Sequence, residues 1–390
     1  MVLSLARPFL RVAARRPHVL VIAPAPVSDG LLDVRLAAEA ALASRGWPAA
    51  DSPADTDLVL VAGEVGPRLA EVVRAVWATV PAPRVLVRVG APSELGDALD
   101  AAVAELARGG AGPVSGGGPL SGGGPLSGGG PLSASEASLL ASSDRNAAFS
   151  MITGSPDDGA FLPLDASNDA SLAPEATPVM AGLADDDRDG LALDVVHTAL
   201  GPVLPHWPAG LVVHATLAGD LVTDARAEVL DVPGPRERAG RRRTPRGPDH
   251  LRLDALVRVL ALAGADRAAA RARALRDGHP GPGELTAFGR RIARSRTLAW
   301  TLRGIPLTAT DHVPVPEPTV EARVRALAAG LGGSLAPPVR PAPHRAAAAL
   351  VGLELGAARL ALAALDPDTA LGAGPVAPFK PAGSGHHHHG

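Results

Sequence analysis

The sequence predicts an α/β domain built on a small open parallel sheet, a long tether, and an α+β domain with a short antiparallel sheet and helices. Three observations carry this. The runs His18-Val-Leu-Val-Ile-Ala-Pro24, Asp57-Leu-Val-Leu-Val-Ala-Gly63 and Arg84-Val-Leu-Val-Arg-Val-Gly90 are short, β-branched and bounded by Gly or Pro, the pattern of parallel strands buried on both faces. Between the second and third, Leu69, Val72, Val73, Val76 and Trp77 recur at helical spacing, as a crossover helix requires. Further on, alternating strands at 192–196 and 210–218 and a Gly219-Asp220 turn give way to helical segments, an order that reads as α+β.

Each element follows from local signals. Residues 1–17 read as a basic amphipathic segment. On a helix Leu5, Phe9, Val12 and Arg16 share one side, and Arg7, Arg11 and Arg15 stack on another. The α/β domain spans 18–109. Its first helix is expected over 30–44, with Leu32, Leu36, Ala40 and Leu42 inward; the second ends before Pro81 and Pro83; the third covers 92–108 with Ser93 as its cap. Ser115 to Ser133 then repeats Gly-Gly-Gly-Pro-Leu-Ser three times. Glycine entropy and missing proline donors deny such a stretch a packed core. Residues 110–190 therefore read as a largely disordered tether. A coil of ~70 residues has an end-to-end distance of roughly 45 Å, enough to cross a neighbouring domain. The second domain spans 191–366, with strands to Asp231, an arginine-rich loop over 236–246, and helices over 251–263, 266–276, 284–303, 319–330 and 345–365. Residues 367–390 read as a tail with a histidine run, either a tag or a natural polar end.

Composition narrows the chemistry. At 390 residues the chain has room for two modest cores. The net charge of −3 points to no nucleic-acid partner. There is no cysteine and no tyrosine, which excludes disulfides, thiolate metal sites, iron–sulfur clusters and cysteine nucleophiles. No apolar run approaches the roughly 20 residues of a membrane-spanning helix, and the start does not read as a signal peptide.

Candidate sites are sparse. His197, His206 and His214 lie on or beside the hairpin, but their spacing matches no ligand motif, and they read as neutral structural histidines. Ser28-Asp29-Gly30 stands where a phosphate loop would lie, without the glycine pattern or lysine of one, and reads as a turn and helix cap. Arg241, Arg242 and Arg243 head the densest basic patch; with no interleaved aromatics it reads as a solvated loop or one facing an acidic partner. Asp185-Asp-Asp187 lacks the later ligands of a calcium loop. No catalytic, cofactor-binding or metal-ligating residue is assigned.

Two segments carry a resemblance. Asp57-Leu-Val-Leu-Val-Ala-Gly, Arg68-Leu-Ala-Glu-Val-Val-Arg-Ala-Val-Trp, Val80-Pro-Ala-Pro-Arg and Val89-Gly90 resemble the frame of the small, cluster-bearing subunit shared by respiratory complex I and energy-converting [NiFe] hydrogenases. In that family a strand, a helix ending at a Pro-x-Pro turn and a strand entering Gly-x-Cys follow in this order. The likeness covers about residues 18–107. The family's Cys-x-Gly-Cys loop falls near Ser28-Asp-Gly-Leu31 and its Gly-x-Cys loop at Gly90-Ala-Pro92, so the cluster ligands are gone. Gly201-Pro-Val-Leu-Pro-His-Trp-Pro-Ala-Gly210 and Ala218-Gly-Asp-Leu-Val are similar to the partner large subunit. The two histidines that line a quinone site in complex I correspond to Leu204 and Pro208, with His206 between them.

The resemblance implies a redox-inactive scaffold or coupling subunit, fused from small- and large-subunit-like parts, with no cofactor. It implies a peripheral position on the cytoplasmic side of the cell membrane, beside complex-I-like or antiporter-like membrane subunits. Arg7, Phe9, Arg11, Arg15, His206, Trp207 and Arg241 to Arg243 are the expected partner-docking residues. Two alternatives stand beside it: a small-molecule binder or enzyme using the loops after the strands near Ser28 or His206, and a free-standing adaptor whose tether recruits partners.

Overall fold

The computed structural model describes residues 15–25, 29–110, 113–115, 195–231, 247–307, 318–333 and 335–371. Its first half is a parallel sheet of β1 (Val19–Ile22), β2 (Leu58–Ala62), β3 (Val85–Val89) and β4 (Pro113–Ser115), in that order. The three expected strands form in register, with Leu20 opposite Val59 and Val59 opposite Leu86. The sheet continues past the expected boundary at 109 through β4, which pairs with β3; the rest of the expected tether lies outside the described residues.

Why the strands are apolar at nearly every position is visible in the packing. Leu58, Leu60, Val85 and Val87 face α1 (Asp29–Arg45) and α3 (Leu95–Ala107), while Leu20, Ile22, Val59 and Val61 face α2 (Pro67–Thr79). Both sheet faces are covered, so strict alternation would bury polar groups. Beyond β1, Ala49 forms a parallel bridge with Val19. The chain thus touches the outer edge of β1 before entering β2 on its inner side.

The expected cap of the third helix is corrected. Pro92–Glu94 forms a 3-10 turn ahead of α3, and it is the Glu94 carboxylate that accepts the Gly90 N–H at 2.9 Å. Ser93 falls inside this turn and caps nothing.

The second half is an antiparallel sheet of β5 (Val195–Leu200), β6 (Leu211–Ala218) and β7 (Leu221–Val229), with the hairpin at Gly219-Asp220 as expected. Its inner face, including Leu211, Val213 and Val222, packs on the helices α4 (Pro248–Leu262), α5 (Asp266–Asp277), α6 (Pro282–Ala293), α7 (Arg296–Thr301), α8 (Val320–Ala329), α9 (Pro343–Ala348) and α10 (Leu355–Leu365). Two expected helices are each split. Over 284–303 the break falls at Ser295, whose hydroxyl accepts the Leu298 N–H and starts α7 as an N-cap. Over 345–365 the chain leaves helical geometry because its backbone pairs with β7. Val222 N–H donates to Leu353 O at 2.9 Å and Gly352 N–H to Val222 O at 2.8 Å.

The halves pack directly on one another. Ala25, just past β1, belongs to the core under the antiparallel sheet, while Val212 and Leu230 belong to the core around α2. Gly210 sits so close that any Cβ there would run into the Ala25 backbone, and its φ of +68° suits glycine. Asp231 reaches across to α2, accepting from Arg68 N–H at 3.1 Å and Leu69 N–H at 2.8 Å. Among the described residues no helix is long and apolar enough to cross a membrane.

Candidate functional site

The loop between β5 and β6 positions the site. The indole of Trp207 donates to Leu211 O at 2.8 Å and packs on the large core, which pins the loop to the start of β6. His206, one residue before, is held at φ +61°. Left-handed backbone costs a non-glycine residue roughly 1–2 kcal/mol, sustained here by the pinned residues on either side. The loop thereby closes over a cleft of about 140 Å³ at the seam. One wall is β1 with residues 49–51; α1 supplies Arg35 and Glu39, α4 supplies Asp254 and Arg258, and α5 supplies Arg273.

Under the cleft runs a buried charge network that joins the halves. Asp254 of α4 accepts from Arg35 of α1 at 2.8 Å, from Arg276 of α5 at 2.7 Å, and from Arg258 one turn along α4. Glu39 accepts from Arg276 at 2.8 Å and also pairs with Arg35. Arg258 turns its other nitrogen to Asp366, which Arg340 meets at 2.9 Å. Burial opposes ionisation of Asp254, but Arg258, Arg35 and Arg276 outweigh it and hold the carboxyl well below its usual range. Glu39 is likewise held low against burial, by Arg35 and Arg276.

The three hairpin histidines do not converge. His197 Nδ1 lies 3.0 Å from the Thr216 hydroxyl, and His214 Nε2 lies 2.9 Å from Glu228 Oε2. His206 stands apart in the cleft and forms no hydrogen bond through its ring to any described residue. Burial pushes its pKa down, and Arg273, Arg258 and Arg359 push it further, against Glu39. The imidazole is therefore neutral at physiological pH. Among the described residues no three His, Cys, Asp or Glu side chains gather as a metal site.

Of the expected docking residues, His206 and Trp207 are engaged inside the molecule at the seam. Arg15 is exposed, and its carbonyl accepts the Trp47 indole N–H at 3.0 Å. Arg7, Phe9, Arg11, Arg241, Arg242 and Arg243 lie outside the described residues, as do Ser28 and Asp185 to Asp187. Sequence reasoning passed over Arg35, Glu39, Asp254, Arg258, Arg273 and Arg276. Asp254 and Arg258 did leave a signal, an i,i+4 charged pair within the apolar run Leu253 to Leu260, a spacing that marks a pair able to enter a core together. Comparison of the chain with protein-family models, curated proteins and solved structures gives no match.

Proposed function

We propose that the protein is a redox-inactive structural subunit of a complex-I-like membrane assembly, a scaffold or coupling element in which small-subunit-like and large-subunit-like parts act as one body. The observation that supports this reading most is the seat of the 201–210 loop on the end of β1, with Gly210 against Ala25. These are the segments that the resemblance aligns with the quinone-site loop of one subunit and the approach to the cluster loop of the other. In this chain the two segments lie against each other, and the chain has no cysteine with which to hold a cluster. On this reading the protein lies peripherally on the cytoplasmic side of the membrane. Arg7, Phe9, Arg11 and Arg15 touch a membrane subunit or anionic headgroups, since so short an apolar strip binds lipid only weakly alone.

The test is purification from native membranes. The expected result is co-purification of antiporter-like or quinone-module-like membrane subunits, lost when residues 2–15 are deleted although the fold is intact. Recovery of the full chain with no membrane subunit would overturn the proposal. The cleft favours a second reading, a small-molecule-binding protein that uses the end of β1, and ligand titration of the isolated chain distinguishes it.

A further inference from the structure

We propose that the seam cleft binds a small oxyanion of the phosphate class, gripped by the Arg273 guanidinium and the His206 ring.

Arg35 and Arg258 face the cleft, but each is already paired, Arg35 with Glu39 and Asp254, Arg258 with Asp254 and Asp366. Glu39 and Asp254 also face it, and two and three guanidiniums respectively engage them. Asp51 lies at the exposed rim, where water screens it. Arg273 is different. It is half-buried in the cleft wall and meets no carboxylate among the described residues. A half-buried guanidinium presents a fork of N–H donors suited to two oxygens of one anion.

His206 lines the same cleft from the 201–210 loop and forms no hydrogen bond through its ring to any described residue, although a neutral imidazole has one donor and one acceptor to offer. Arg359 stands behind the loop. It donates to Pro205 O at 3.4 Å, and its Nε is buried without a partner. Three arginines, Arg273, Arg258 and Arg359, stand near enough to the His206 ring to disfavour its protonated form, with Glu39 acting against them. A volume of about 140 Å³ suits a ligand of a few heavy atoms. The left-handed backbone at His206 is strain of the kind that concentrates at ligand-binding positions.

This assignment stands apart from the membrane-assembly reading, because it concerns the isolated chain. The probe is inorganic phosphate, titrated calorimetrically into the full chain at constant ionic strength set with chloride. One saturable site is expected. Arg273→Gln should weaken binding about tenfold or more, since a charge-assisted contact is lost. Arg273→Lys should recover only part of it, for want of the fork. His206→Gln should weaken it less, and the exposed Arg303→Gln should leave it unchanged. Arg273 has no ion pair among the described residues to lose, so its variants should unfold at the wild-type temperature. Absence of saturable heat in the wild type would overturn the proposal. So would Arg273→Gln binding as well as wild type, or Arg303→Gln weakening binding as much as Arg273→Gln.

Discussion

Asp231 offers the sharpest test of how the halves are joined. Helix α2 opens with Gly66 as its N-cap residue, which has no side chain to offer, and with Pro67, which has no N–H. The two donors that remain in the first turn, on Arg68 and Leu69, both go to the carboxylate of Asp231 from the other half. The helix is thus capped in trans. A single cap is worth about 1 kcal/mol, with a range of roughly 0.5–2. A negative charge at the helix N-terminus adds about 0.3–1 kcal/mol. With two bonds and the charge, Asp231→Ala should cost about 2–3 kcal/mol, including the poorer fit of alanine at φ +52°.

Asp231→Gly removes the carboxylate while freeing that φ, and should cost only about 1 kcal/mol. Gly66→Ala should mimic the loss, because a Cβ at Gly66 would fall on the Asp231 side chain; the Gly66/Asp231 double alanine variant should then add little. Urea unfolding gives the free energies, and hydrogen exchange should quicken at the Arg68 and Leu69 amides. An Asp231→Ala variant within about 0.5 kcal/mol of wild type, the usual range of an inert surface change, would refute the reasoning.

Two further outcomes are expected. Unfolded His206 takes up a proton near pH ~6.5, whereas the folded ring, depressed by burial and by Arg273, refuses it until lower pH. The unfolded state then binds more protons, so stability falls as pH drops below about 6.5, by at most about 1.4 kcal/mol per unit for one group. His18, raised chiefly by its hydrogen bond to Asp55, acts with the opposite sign, its contribution present at low pH and lost as pH rises through its raised value. The urea midpoint of His206→Gln should therefore fall less steeply with acid than that of wild type. Separately, proteolytic cleavage within the Gly-Gly-Gly-Pro-Leu-Ser repeats should leave the halves co-eluting in size-exclusion chromatography, since core residues and ion pairs cross the seam; clean separation under mild conditions would count against one body.

The strands β1, β2, β3, β6 and β7 and the hairpin were legible in the sequence because their signals are local, whereas β5, expected over 192–196, runs over Val195–Leu200, and β4 falls inside the expected tether. β-branched runs between Gly and Pro mark β1, β2 and β3, and Gly219-Asp220 marks the hairpin. Helix breaks at Ser295 and near Gly352 were not legible, because periodicity runs through both; what interrupts the second is a strand, β7, far away in the chain. The cleft was hidden for a related reason. Nothing local distinguishes the i,i+4 pair Arg35 and Glu39 of α1 from a solvated one, and only the docking of α4 and α5 makes them buried partners of Asp254 and Arg276. His206 was singled out by its place in the loop, yet nothing in the sequence says that its neighbours are arginines from positions 258, 273 and 359.

The charge network invites the assumption that it holds the halves together, and the energetics argue otherwise. The carboxylate of Asp254 and the guanidinium of Arg276 are almost wholly shielded from water, and the desolvation of such groups consumes most of their mutual attraction. Removing one partner is a different matter, because the others stay buried. Asp254→Leu leaves Arg35 with Glu39 alone and Arg258 with Asp366 alone, and should cost about 3–5 kcal/mol. The double variant Arg35→Met, Asp254→Leu removes one charge of each sign, keeps Glu39 on Arg276 and Asp366 on Arg258, and fills the space with apolar groups. It should recover most of that loss, ending within about 1–2 kcal/mol of wild type. Thermal unfolding of the two variants checks this. If the double variant is as unstable as the single one, the network contributes net binding energy across the seam; if it recovers, attachment rests on the apolar contacts and the Asp231 cap, and the network selects the one docking position in which every buried charge is met.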